Sequence, residues 1–114
     1  MKKQALIKFL NLTDKEAENV TVSTYNDNIF EYYNEEYEVL MDEEADERWE
    51  EELDNYLEEC IYPNLPENMQ FYFDDEKWKR EARLDGRGHS ISRYDGEEHE
   101  ETIDGTRFYI YRQN

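Results

Sequence analysis

The sequence predicts an α+β fold. A small antiparallel sheet, built from a C-terminal β-meander and N-terminal strands, carries two main helices on one face. Three observations predict it. Asp-Gly pairs at 95–96 and 104–105 stand between alternating runs near the C-terminus, and Asp-Gly is the strongest short hairpin signal. Apolar residues recur at spacings of three and four between positions 45 and 61, which is a helical period. Ten Tyr, five Phe and two Trp supply the aromatic mass that a disordered acidic chain lacks.

Taken in order, residues 4–12 are apolar but irregular and fit either strand or helix. Thr13 followed by Glu16 matches a capping box, so a short helix is expected over 14–19. "VTVSTY" (20–25) alternates as a strand does. "IFEYY" (29–33) and "YEVLM" (37–41) flank "NEE" (34–36) and read as a hairpin. In the first main helix, 45–61, Ala45, Trp49, Leu53, Tyr56, Leu57 and Cys60 form the apolar stripe. Asp42 is its expected N-cap and Tyr62-Pro63 its end. "NLPENMQFYF" is a connector with one helical turn after Pro66. A second main helix over 74–84 has Asp74, Asp75 and Glu76 in its first turn and Lys79, Arg80 and Arg83 toward its end, the order that suits the helix dipole. Trp78 and Ala82 are expected to face the core. "DGRG" (85–88) stops the helix. "HSISRY", "EEHEETI" and "TRFYIYR" then read as the three strands of the meander.

The chain has 114 residues, with 13 Lys and Arg against 31 Asp and Glu, a formal net charge of −18. That length suits one acidic domain spanning 1–114 with a modest core. Small domains ordinarily carry a net charge of roughly 2–8 in magnitude, and self-repulsion at −18 costs stability. Direct nucleic-acid binding and anionic membrane are excluded as partner classes, because both need a cationic surface. A cationic protein partner is favoured. The single cysteine, Cys60, permits no internal disulfide and fits a reducing compartment. It is expected to be a buried thiol on the apolar stripe. The lysines at the start resemble a leader, but the apolar run is short and broken by Lys8 and Asn11. No run approaches the roughly 20 apolar residues of a membrane span.

The stretch "DEEADERWEEELDNYLEE" (42–59) contains eleven acids and one base. At 100° per residue, Glu44, Glu47, Glu51, Asp54 and Glu58 fall opposite the apolar stripe, with Glu43 and Glu50 on its flank. From 44 to 58 the row is about 21 Å long at 1.5 Å per residue. Neighbours in such a row lie about 5–6 Å apart at Cβ, a pitch similar in order to that of phosphates along a DNA strand. Five like-charge i,i+4 pairs (43–47, 46–50, 47–51, 50–54 and 54–58) together cost on the order of 1–2.5 kcal/mol. The row is either a solvated face or a surface whose acidity is its purpose. The "EEHEE" run, with Glu97, Glu98, Glu100 and Glu101, is a possible extension of it.

Other chemistry finds little footing. No EF-hand array is present. Cys60, His89 and His99 lack the paired spacing of a zinc site. Ser90 and Ser92 lie near His89 without a G-x-S-x-G elbow. "GRG" (86–88) is too short for a phosphate-cradling loop. Neither a catalytic residue nor a cofactor or metal site is expected. The basic cluster Lys77, Lys79, Arg80, Arg83 and Arg87 is expected to pair with surplus acids inside the fold, and "FYF" (71–73) and "FYIY" (108–111) to serve core or sheet surface.

"YFDDEKWKREARL" (72–84), preceded by "NYLEEC" and followed by a "YIYR" strand, resembles a module of the ArdA-type antirestriction proteins. Those proteins carry acidic helices and Tyr-Phe-Asp-x-Glu stretches followed by an aromatic and an Arg. The resemblance covers about the second half of the chain. That family is longer and built of several subdomains, so its dimer and mimic length are not carried over. "YEVLMDEEADERW" (37–49) and "GRGHSISRYDGEEHE" (86–100) look like parts of small phage- and plasmid-borne acidic proteins. The resemblances imply an anti-defence protein of a mobile element, in the cytoplasm of a bacterial host. It would inhibit a restriction or CRISPR system stoichiometrically as a DNA mimic, without catalysis. Its partner would be a cationic DNA-binding protein or nuclease complex, and its oligomeric state, monomer or homodimer, is left open. The alternative is a non-mimic module that binds a host or phage protein through aromatic surface.

Overall fold

Strand alternation sorts the side chains of one five-stranded antiparallel sheet onto two faces, and each face has its own helical cover. The computed structural model describes residues 1–114. The strands are β1 (Val20–Val22), β2 (Ile29–Tyr32), β3 (Glu35–Leu40), β4 (His99–Ile103) and β5 (Thr106–Arg112), in the order β1-β2-β3-β5-β4. In β5, Phe108 and Ile110 face one way and Tyr109 and Tyr111 the other, as a period of two requires. Helix α1 (Lys2–Leu10) buries Ala5 and Leu6 against Val20, Phe30, Tyr37, Val39, Phe108 and Ile110. On the opposite face, helices α3 (Asp42–Tyr56) and α6 (Arg87–Ile91) contribute Ala45 and Ile91 to a cluster with Leu40 and Tyr111, flanked by Trp49 and Tyr109.

The antiparallel sheet and the α+β class match the sequence-based expectation. The helices are distributed differently in detail. α3 lies on the sheet, whereas α5 (Asp75–Arg83) joins α3 through the stacked pair Tyr56–Trp78, with ring centroids 5.5 Å apart and planes at 10°. Residues 2–10, expected as strand or helix, are a helix and cover the face left free. The short helix α2 (Asp14–Ala17) has the expected capping box. Glu16 N–H donates to Thr13 Oγ1 at 3.2 Å, and Thr13 N–H donates to Glu16 Oε1 at 3.0 Å. Asp74 caps α5 by accepting from Lys77 N–H at 3.1 Å. One helical turn, α4 (Glu67–Gln70), comes after Pro66 as expected. Asp104 and Gly105, both at positive φ (50° and 82°), join Ile103 to Thr106 in the tight turn that Asp-Gly favours.

Several expectations are corrected. "HSISRY" is not a strand. Its first half belongs to α6, because Ile91 is its only large apolar residue and one helical turn is enough to bury it. The β-meander is therefore a two-stranded hairpin, and Asp95-Gly96 closes a loop instead of a β-turn. The β2–β3 turn is Tyr33-Asn34, with β3 starting at Glu35, because pairing Tyr32 with Glu35 keeps Tyr37 and Val39 on the α1 face. The N-cap of α3 is Met41, one residue before Asp42, and its N–H donates to Glu44 Oε1 at 2.9 Å.

After Tyr56 the helix widens into a π-turn, Leu57–Ile61, closed by Tyr62 N–H on the Leu57 carbonyl. The extra residue in this turn shifts the rotation of the side chains beyond it. Leu57 is buried, but Cys60 swings out to solvent, so the expected buried thiol is exposed. Phe71 and Tyr72, expected in core or sheet, are 89% and 79% exposed on the connector. No helix is long and apolar enough to cross a membrane.

Two positions test this architecture. A Cβ added at Gly88 would meet the Glu97 carbonyl carbon and the Glu98 nitrogen at 2.6 Å, both of them backbone. Gly88→Ala is expected to destabilise the fold by about 1–3 kcal/mol in urea unfolding, as overpacking does. Glu38 is 3% exposed beneath α3, and burial pushes its carboxyl above the ordinary range even with Arg48 Nε at 3.2 Å. A raised folded-state value means the folded protein holds this proton more tightly than the unfolded one. Its stabilising contribution is full below the ordinary glutamate range and is lost as pH rises through the raised value. Glu38→Gln removes that loss. Unfolding free energies measured from pH 4 to 8 should therefore shift progressively in favour of the variant as pH rises.

Candidate functional site

The outward face of α3 is positioned by what its inward face buries. Ala45 and Leu53 are buried, Trp49 is half-buried, and the Trp49 indole N–H donates to Ser90 Oγ at 3.2 Å, fixing the rotation of the helix. The acids opposite this seam divide into two groups.

The first group is neutralised from outside the helix. Glu44 takes Lys2 at 2.8 Å. Although burial pulls its carboxyl upward, Lys2 and the Met41 N–H hold it below the ordinary range. Asp54 takes Lys79 at 2.5 Å, and Glu50 takes Lys79 at 3.6 Å and Arg83 Nε at 3.1 Å. Arg87 reaches Asp42 and Asp46, each at 2.9 Å, and Glu98 at 2.8 Å. The expected pairing of the basic cluster with surplus acids thus holds for Lys79, Arg83 and Arg87, while Lys77 and Arg80 form no ion pair.

The second group has no cation. Glu43, Glu47 and Glu51 are exposed and succeed one another at i,i+4, and Glu58 is exposed on the π-turn beyond. From Glu43 to Glu51 the bare row runs about 12 Å at 1.5 Å per residue. The expected five-residue stripe is therefore retained at Glu47, Glu51 and Glu58, while its other two members, Glu44 and Asp54, are paired.

The "EEHEE" acids do not form one edge. Glu101 lies across from Phe108, on the α1 face, and pairs with Lys8 at 3.7 Å. Glu100 lies across from Tyr109, on the other face, and pairs with Arg107 at 3.3 Å. Glu98 turns inward to Arg87 and accepts from the Tyr111 hydroxyl. Burial, then Glu98, pushes that hydroxyl well above the usual tyrosine range. Only Glu97 remains outward, 3.9 Å from His99 Nε2.

Two features escape a reading of the sequence. The loop at Gly96 gathers Asp95, Glu97 and His99, whose potential ligand atoms lie within 4.8 Å of one another. The signal was the period-two spacing of these residues. Asp95 is already engaged, accepting from the Ser92 hydroxyl at 2.7 Å and from Glu97 N–H at 3.0 Å. Although burial opposes it, these bonds and His99 hold Asp95 below the ordinary carboxylate range. His99 rests against Phe9 at 4.7 Å.

The second feature is a groove of about 490 Å³ between α3, α5 and α6, walled by Leu53, Tyr56, Ile61, Trp78 and Ala82, rimmed by Glu52, Glu81 and Asp85, with His89 and Ser90 on its α6 side. Trp78 and Ala82, expected in the core, are half-buried in this wall. They could not be separated from core residues in the sequence, because a groove wall and a core seam share the same i,i+4 spacing.

No family model matches the chain, and no curated protein or solved structure matches it. The resemblances to antirestriction and mobile-element proteins rest on their residues alone.

Arg87 is the cation on which this arrangement turns. Its side chain is 11% exposed and its guanidinium lies 4.6 Å over the Tyr109 ring. Arg87→Ala is expected to cost about 1.5–3 kcal/mol in denaturant unfolding, the range for hydrogen bonds to charged groups. Arg87→Lys should recover only a minor part of that, because an ammonium cannot reproduce the planar fork.

Proposed function

We propose that this chain is an anti-defence protein of a phage or mobile element. It inhibits a host DNA-targeting system, restriction or CRISPR, by stoichiometric binding, with the acidic face of α3 standing in for DNA phosphates. The observation that carries the reading is the bare row Glu43, Glu47 and Glu51, set beside acids that are each given a cation. Like-charge neighbours at i,i+4 destabilise a helix, and elsewhere on α3 the fold relieves them with Lys79, Arg83 and Arg87. Carboxylates left uncompensated at regular spacing suit a surface that lends its charge to a cationic DNA-binding channel, in the host cytoplasm. The net charge of −18 would speed encounter with such a channel at low salt. No catalytic step is required.

A second reading has its own support. Phe71 and Tyr72 are almost fully exposed, with Met69 beside them. Exposed aromatics of this kind are frequent hot spots of protein interfaces, so a non-mimic module binding a host or phage protein through this connector is the alternative.

Salt and DNA separate the two. For a phosphate mimic, affinity for the target falls steeply as salt rises and DNA competes for the same site. Binding that ignores both would sink the mimic. Changing Glu43, Glu47 and Glu51 together to Gln should weaken inhibition at least about ten-fold, a loss of roughly 1.4 kcal/mol or more of binding. The melting temperature should hold or rise. Changing Phe71 and Tyr72 to Ala should leave inhibition intact, and its loss there would favour the second reading.

A further inference from the structure

We infer that the groove between α3 and α5 is a receptor for an arginine side chain of the cationic partner. This deepens the mimic reading and rests on it. Three observations carry the inference. First, the wall is aromatic: Tyr56 and Trp78 lie nearly parallel, and Tyr56 is half-exposed. Leu53, Ile61 and Ala82 complete the apolar surface, and the volume of about 490 Å³ falls within the roughly 300–1,000 Å³ of ligand clefts.

Second, the rim carries three carboxylates, two of them unanswered. Glu52, Glu81 and Asp85 line the groove together with His89, and no lysine or arginine does. Glu52 is engaged by Arg48, but Glu81 and Asp85 have no cation. Third, two of the four cations of α5 are committed elsewhere, since Lys79 and Arg83 reach Glu50 and Asp54 on α3, and the other two, Lys77 and Arg80, do not line the groove. The fold thus leaves an apolar aromatic slot with carboxylates at its mouth and no lysine or arginine in its lining. An aromatic face attracts a cation that lies over it. A guanidinium suits this slot better than an ammonium, because it is planar, weakly hydrated, stacks on rings, and offers a fork of N–H donors to carboxylates. The row on α3 supplies long-range attraction, and the groove supplies a fixed anchor.

The test uses Trp49→Phe protein, in which Trp78 is the only tryptophan. It is titrated with a short acetylated arginine-rich peptide and with the same peptide carrying citrulline, which keeps the shape and loses the charge. A saturable change in Trp78 emission is expected with the arginine peptide, and binding about ten-fold weaker with citrulline. Calorimetry on the unaltered protein gives the same comparison without reliance on the Phe substitution. Glu81→Gln with Asp85→Asn should weaken arginine-peptide binding several-fold, with the circular dichroism spectrum unchanged. The triple Gln change at 43, 47 and 51 should weaken it less.

Equal response to both peptides, no saturable response, or a loss that tracks the triple change and not the rim change would overturn the inference. The two proposals can fail separately. If the arginine peptide does not bind the groove while the triple change abolishes inhibition, only the groove falls. If the peptide binds while inhibition survives the triple change, only the mimic falls.

Discussion

Arg87 lies where three carboxylates would otherwise repel one another. Asp42 and Asp46 come from the first turns of α3, and Glu98 from the segment leading into β4. One guanidinium answers all three while it lies over the Tyr109 ring. The position of α6 allows this. Gly86, at φ 88°, turns the chain into the helix, and Gly88, with no Cβ, lets the helix press against the backbone of Glu97 and Glu98. A side chain at Gly88 would push α6 outward and carry Arg87 with it. The junction of α3, α6 and the sheet therefore depends on a close backbone contact and on the charge cluster that the contact brings together.

With so few cations, each placement has a consequence elsewhere. Lys79 and Arg83 hold α5 against α3 and Arg48 answers the buried Glu38. Lys2 ties α1 to the acidic helix across the chain. Those four serve assembly. Many acids remain without an ion pair, from Glu18 and Glu31 to Glu67 and Asp104. Among them are the row at 43, 47 and 51 and two carboxylates at the mouth of the groove, Glu81 and Asp85. Both surfaces are complementary to a partner rich in arginine and lysine, and on that complementarity the functional proposal and the groove proposal converge.

The local signals that the sequence carried well were those closed within a few residues. Thr13 and Glu16 form their capping box, Asp74 caps α5, and Asp104-Gly105 makes the tight turn between β4 and β5. The stripe Ala45, Trp49, Leu53 and Leu57 faces inward as its spacing requires. Readings failed where the deciding contact lay far away in sequence. "HSISRY" alternates like a strand, but its first half joins α6, whose Gly88 meets the backbone at 97–98. The π-turn at Leu57–Ile61 adds a residue to the helical period, which no spacing in the sequence announces, and so Cys60 points to solvent.

The candidate site shows the same division. The sequence by itself determined that one side of α3 would be apolar and the other acidic, since a period of 3.6 residues places side chains by rotation alone. It also determined that the cations near α5 were too few to neutralise that side. Only the tertiary structure decided which acids they would reach. Lys79 and Arg83 select Glu50 and Asp54, and Arg87 selects Asp42, Asp46 and Glu98. Ion pairing acts over a few ångströms, so it depends on where α5 and α6 dock. That docking is set by Trp78 on Tyr56 and by a glycine against a distant backbone.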